Sequence, residues 1–168
     1  GGPRGPPVTP PGATEPAAHG AEIVIDAPPE RVYAMLADVT RMGEWSPECV
    51  RCRWIGGDDG ARVGARFRGR SRNGWHRWST VSTVVAAAPG RSFAFEVTYF
   101  GLPVATWRYD FRPDEGGRTH LAESVEDRRG HLLRAVSPLI TGSRDRGRRN
   151  TATITTTLAR LKAAAEER

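Results

Sequence analysis

No stretch of this 168-residue chain approaches the roughly 18 consecutive apolar residues that a membrane span needs. Its N-terminus lacks the basic-then-apolar pattern of a secretory signal, so a cytoplasmic protein is expected. Lysine is nearly missing, because 24 of the 25 basic residues are arginine. Such a skew follows the codon usage of a GC-rich genome, so the formal charge of +6 says little about partners, and nucleic acid is not expected among them. Cysteine is scarce as well. Cys49 and Cys52 form one C-x-x-C with no second pair and no histidine at zinc-ligand spacing. Their neighbours Val50, Arg51, Arg53 and Trp54 read as strand, on which the two thiols would face opposite sides, whereas a redox pair usually opens a helix. Neither redox nor metal chemistry is expected there, and no cofactor is expected. Also missing are a Ser-His-Asp order, an H-E-x-x-H, a phosphate-binding loop and a G-x-G-x-x-G, which favours binding over catalysis. Only His76 and His131 are candidates for proton transfer, and neither has a spaced partner.

What is present points to one domain. Residues 1–20 hold six of the 13 prolines with Gly and Ala and almost no large apolar side chain, so they are expected to form a disordered tail. Residues 21–168 carry enough apolar and aromatic side chains for a core. Ala21 to Asp26 reads as a strand, with Ile23 and Ile25 on one face. Ala27-Pro28-Pro29-Glu30 then starts a helix with the apolar positions Val32, Met35 and Leu36, and a second short helix follows near Thr40 to Trp45. Strand alternation resumes at about Cys49 and continues, broken by tight turns, to Val125, the pattern of an antiparallel meander.

Two registers are open at the Asn73-Gly74 hairpin. A two-residue turn pairs Arg72 with Trp75 and puts Phe67 opposite Thr80 and Gly69 opposite Trp78, while a three-residue bulged turn brings Ser79, Val81, Thr83 and Val85 inward. The first is preferred because it covers glycine with tryptophan. Further on, Phe93, Phe95, Val97 and Tyr99 share a face, as do Trp107, Tyr109 and Phe111. Glu123 stands at an apolar-face position of the last strand, and a tight turn pairing Phe111 with Thr119 would set it opposite Trp107. Arg62 to Arg72 alternates an apolar face with five arginines, expected to be solvated. Residues from Arg129 to Ile140 read as a helical connection interrupted by Pro138. The chain closes on a long helix, Ser143 to Arg168, with Ile154, Leu158, Leu161 and Ala165 in one stripe. At about 1.5 Å per residue it would be roughly 36 Å long, enough to cross a sheet. Its first half is threonine-rich and a poor helix former, so something must pack against it.

This order, an α+β arrangement of strand, two short helices, about six antiparallel strands and a closing helix, resembles the helix-grip fold of the START-like superfamily. The resemblance covers about residues 21–168 and implies a curved antiparallel sheet of six to seven strands around the C-terminal helix. Ile25-Asp26-Ala27-Pro28-Pro29-Glu30-Arg31-Val32-Tyr33, Asp38 to Glu48, Pro89 to Phe95 and Thr106-Trp107-Arg108-Tyr109 resemble the bacterial polyketide cyclase/dehydrase branch. What the resemblance implies is a cavity between sheet and helix that takes a small apolar or aromatic molecule, lipid- or polyketide-like. The alternative is an aromatase/cyclase or dehydratase working in the same cavity, with Glu123, Tyr109 or Thr80 moving protons. The ligand contacts expected there are Trp45, Phe67, Trp78, Phe95, Trp107, Tyr109 and Glu123. Each has a plainer reading, the aromatic residues as core and Glu123 as the partner of an arginine at the cavity mouth. A monomer or weak homodimer is expected.

Overall fold

The computed structural model describes residues 18–167. Seven antiparallel strands form one curved sheet in the order β1-β7-β6-β5-β4-β3-β2, with β1 being Ala18–Ile25, β2 Cys49–Ile55, β3 Arg66–Asn73, β4 His76–Ala88, β5 Ser92–Tyr99, β6 Leu102–Pro113 and β7 Thr119–Asp127. Helix α1 (Pro29–Ala37) and a 3-10 segment (Val39–Glu44) join β1 to β2, α2 (His131–Thr141) follows β7, and α3 (Arg146–Glu166) closes the chain. This is the helix-grip fold. β1 starts at Ala18, ahead of the expected Ala21, and the rest of the expected tail, residues 1–17, lies outside the described residues.

Helix α3 is built as its spacing requires. Ile154, Leu158, Leu161 and Ala165 are all buried, at 3% exposure or less. Asp145 caps the first turn by accepting from the Arg148 N–H at 3.0 Å. The last turns are tied down by Lys162 Nζ donating to the Val24 carbonyl at 2.8 Å and by Glu166 accepting from the Asp26 N–H at 2.8 Å. The C-terminal half therefore packs on β1, and the N-terminal half spans the concave face of the sheet.

Both open registers differ from expectation by two residues. At the first hairpin Asn73 pairs with His76, so Gly69 faces Thr80 and Phe67 faces Ser82. Gly74 takes the first central position at φ 60°, as a type II′ turn demands, instead of the second position of a type I′ turn. At the β6–β7 connection Pro113 pairs with Thr119, so Glu123 faces Tyr109 and not Trp107. Asp114 tightens that turn to the five residues 114–118, instead of 112–118, by accepting from the backbone of Gly116 and Arg118. A shift of two leaves every side chain on its expected face.

The Cys49 and Cys52 expectation is overturned. Cys49 pairs with Ser71 and Arg51 with Arg70, which leaves Val50 as the extra residue of a β-bulge. The bulge turns Cys49 to the same face as Cys52, and the sulfurs lie 3.2 Å apart.

Candidate functional site

The alternation of β3 to β7 aims one face of each strand at α3, and between them lies a cavity of about 140 Å³. Phe67, Trp78 and Thr80 reach it from β3 and β4, and Phe95, Trp107, Tyr109 and Glu123 from β5, β6 and β7. Trp45 does not line it, being 1% exposed in the core beneath the Arg41 guanidinium. Phe67 and Phe95 are also buried and meet edge-on at 5.1 Å, whereas Trp78 and Trp107 are half-buried and present more surface to the hollow. A second hollow of about 40 Å³ shares Trp78, Thr80 and Val104 and lies beneath Leu133, Ser137 and Ile140 of α2. His131, at the start of α2, is exposed, and His76 sits at the hairpin tip against Gly142, so neither reaches the main cavity.

Two residues from the threonine-rich half of α3, Thr153 and Thr157, form part of the roof. They stand one residue before Ile154 and Leu158 and widen that stripe on one side with polar side chains. The pattern that would have found them is the adjoining row Asn150-Thr153-Thr157-Leu161, spaced by three, four and four and all buried. This explains the poor helix propensity of the first half of α3.

The chemical centre is a buried pair. The Tyr109 hydroxyl donates to Glu123 Oε1 at 2.7 Å, and Glu123 is only 2% exposed. Burial pushes the Glu123 carboxyl up to about 8, against the pull of the Tyr109 hydrogen bond, so at neutral pH it is mostly the uncharged acid. Burial and the neighbouring carboxyl also hold the Tyr109 phenol well above its usual range. Glu123 Oε2 and Thr157 Oγ1 have no hydrogen-bond partner, and both residues line the cavity. Leaving a buried polar atom unpaired costs about 1–3 kcal/mol. Both atoms face one hollow lined by aromatic and polar side chains, where they are left able to hydrogen-bond to a group from outside the protein.

A charged clamp borders the cavity. Glu48 accepts from Arg146 at 3.0 and 3.1 Å and from Arg149 at 2.6 Å, joining the segment before β2 to the first turn of α3. Burial raises the Glu48 carboxyl, but the hydrogen bonds and charges of the two arginines outweigh it and leave it below the usual carboxylate range. Glu48→Ala is expected to cost about 2–3 kcal/mol, read from urea midpoints. That lies under the usual loss for a buried pair because Arg149 is 37% exposed and water can solvate it. The clamp's contribution is fully present above the unfolded carboxylate range and is lost as pH falls through the folded value. Away from the cavity, Arg66, Arg68, Arg70 and Arg72 lie exposed on the outer sheet face, with Arg51 and Arg53 opposite Arg70 and Arg68. Among the described residues no group of three or more His, Cys, Asp or Glu is arranged to hold a metal, and no helix is long and apolar enough to cross a membrane.

A family model described as polyketide cyclase/dehydrase and lipid transport matches residues 20–166. Among solved structures, the polyketide-cyclase-like protein Cgl2372 of Corynebacterium glutamicum is 34% identical, with 88% of this chain and 90% of that one covered at a TM-score of 0.56. The Chromobacterium violaceum protein CV1439 is 18% identical, covering 90% of this chain and 98% of that one at a TM-score of 0.66. The di-domain ARO/CYC protein BexL, from the BE-7585A biosynthetic pathway, is 22% identical at a TM-score of 0.68, and the match spans 90% of this chain but 50% of BexL. No curated protein matches.

Proposed function

Because this chain belongs to the polyketide cyclase/dehydrase and lipid transport family, we propose that it binds a small, largely apolar molecule bearing a carbonyl or hydroxyl group in the cavity under α3. The observation that carries this reading is Glu123, a buried carboxyl among aromatic side chains whose Oε2 has no protein partner. With Oε1 occupied by the Tyr109 hydroxyl, the protonated carboxyl has one hydrogen left to give to a ligand oxygen. The volume limits the size of the ligand. An engineered apolar cavity of about 150 Å³ holds a benzene, so a hollow of about 140 Å³ takes one aromatic ring or a short acyl segment. A larger guest requires α2 to move off Trp78 and Thr80, which would merge the two hollows.

A second reading rests on the same pair. A carboxylic acid that keeps its proton at neutral pH, next to a phenol, is suited to protonate a departing hydroxyl during dehydration or to polarise a ketone during ring closure. Glu123 would be the acid, Tyr109 the group that orients it, and Thr80 a further hydroxyl on the cavity wall. The ARO/CYC description belongs to BexL, and at 22% identity that likeness speaks for the fold.

Acetophenone and ethylbenzene, nearly equal in shape, test the binding reading. Acetophenone should bind more tightly than ethylbenzene at pH 6 and lose roughly tenfold in affinity by pH 9.5, as Glu123 gives up the proton it donates. Ethylbenzene should change far less. Glu123→Gln, which keeps an N–H donor at any pH, should abolish the pH dependence. Equal affinity for both probes across this range would remove Glu123 from the binding role.

A further inference from the structure

The thiols of Cys49 and Cys52 belong to the cavity wall and take no part in the chemistry of Glu123. Their adjacency is built into the strand pairing. On a regular strand, residues three apart face opposite sides, and only the extra residue Val50 brings the two sulfurs within 3.2 Å. The neighbouring backbone holds the bulge in place, since the Arg72 N–H donates to the Glu48 carbonyl at 2.9 Å just before it and Cys52 pairs with Gly69 just after. Cys52 Sγ lies over Gly69, 3.5 Å from where a Cβ would stand, which is ordinary van der Waals contact. Closing the gap to a disulfide bond of about 2.05 Å asks for a movement of roughly 1 Å.

The two thiols are not equivalent. Cys49 is half-buried and both residues face the hollow, while Cys52 is 5% exposed and lies against Met42 Sδ at 4.0 Å. A hydrogen bond from the Cys52 thiol holds the Cys49 thiol below its usual range, and the same contact, with burial, pushes Cys52 up. One accessible, more acidic sulfur beside one buried, protonated sulfur is the arrangement of an attacking and a resolving cysteine.

We propose that Cys49 and Cys52 form a redox-active dithiol that exchanges with low-molecular-weight disulfides reaching the half-buried Cys49. The Cys49 thiolate attacks one sulfur of the small disulfide, forming a mixed disulfide and releasing one small thiolate. Cys52 then attacks Cys49 Sγ, its proton passing to the second leaving thiolate. The protein dithiol is oxidised to the Cys49–Cys52 disulfide, and the small disulfide is reduced to two thiols. The bond locks the bulge one residue from the Glu48 clamp. Exchange does not depend on which apolar molecule the cavity takes, so it can fail while the binding reading stands.

Glutathione disulfide is the probe, applied to the full chain after reduction and removal of reductant. Acid-quenched samples are alkylated and weighed intact. Wild type should go to a form lacking two hydrogens, with no free thiol and no bound glutathione. Cys52→Ala should stop as a glutathione adduct on Cys49, and Cys49→Ala should react at least tenfold more slowly through the buried thiol. Two thiols left free in the wild type, a glutathione adduct that Cys52 fails to displace, or a disulfide-linked dimer would each overturn the proposal. Should either variant fail to fold, the wild-type masses decide alone.

Discussion

Glu123→Gln is expected to make the protein more stable at pH 8 by several kcal/mol while leaving it little changed at pH 4. In the unfolded chain this carboxyl titrates near its ordinary 4.5, and in the folded protein burial raises it to about 8. Between those values the unfolded chain has released a proton that the folded protein still holds. Stability therefore falls as pH rises, by about 1.4 kcal/mol for each unit separating the two values. Over the whole interval the loss is roughly 5 kcal/mol, comparable with the entire stability of many domains. Glutamine has no proton to release and can still accept from the Tyr109 hydroxyl, so the variant should lose this slope. The Glu48 carboxylate, shifted the opposite way, acts only below the ordinary carboxylate range, and the two effects separate on the pH axis. Urea midpoints at pH 5, 7 and 9 measure the result. Parallel slopes for wild type and variant would assign the pH dependence to another group.

Trp45→Ala should cost about 3–5 kcal/mol, the usual loss when a fully buried indole is replaced by a methyl group. At 1% exposure it is among the largest completely enclosed side chains, in the same cluster as Val32, Leu36 and Leu161. For a domain of this size the melting temperature should drop by roughly 6–20 °C. Trp45→Phe should cost much less, because the indole N–H has no hydrogen-bond partner and removing it relieves part of the loss. A Trp45→Ala protein with unchanged stability but weakened ligand binding would move this residue from the core to the site. Trp107→Ala is the contrast. That ring is half-buried on the cavity wall, so its removal should enlarge the hollow and change probe affinity more than it changes the urea midpoint.

The parts of this molecule that follow from side-chain period could be read before any coordinates. The stripe Ile154-Leu158-Leu161-Ala165 placed α3, and the alternation of Trp107, Tyr109 and Phe111 placed the inner face of β6. Glu123 stood out because a carboxylate interrupted that alternation on β7. Its partner could not be read, because pairing across a turn depends on how many residues the turn consumes, and Asp114 shortens this one by two by holding the backbone of Gly116 and Arg118. The β3–β4 hairpin turned on which of its central residues takes the left-handed conformation, and Asn73 and Gly74 can each do so. The bulge at Val50 left no trace, since an exposed valine between Cys49 and Arg51 fits a regular strand equally well. Thr153 and Thr157 were hidden for a different reason. A search for apolar period keeps Ile154 and Leu158 and discards the threonine one residue before each, although the helix face that roofs the hollow runs through both threonines.

The extra residue at Val50 has another consequence, for the company the protein keeps. β2 is the last strand on its side of the sheet, where a regular row of free N–H and C=O groups would invite a neighbouring chain to add a strand. Val50 breaks that row, and Arg51 and Arg53 beyond it carry charge that repels an identical edge. Deleting Val50 would straighten the edge into a continuous template beside a hydrophobic core. The damage would then show as fibrous or precipitated protein at high concentration.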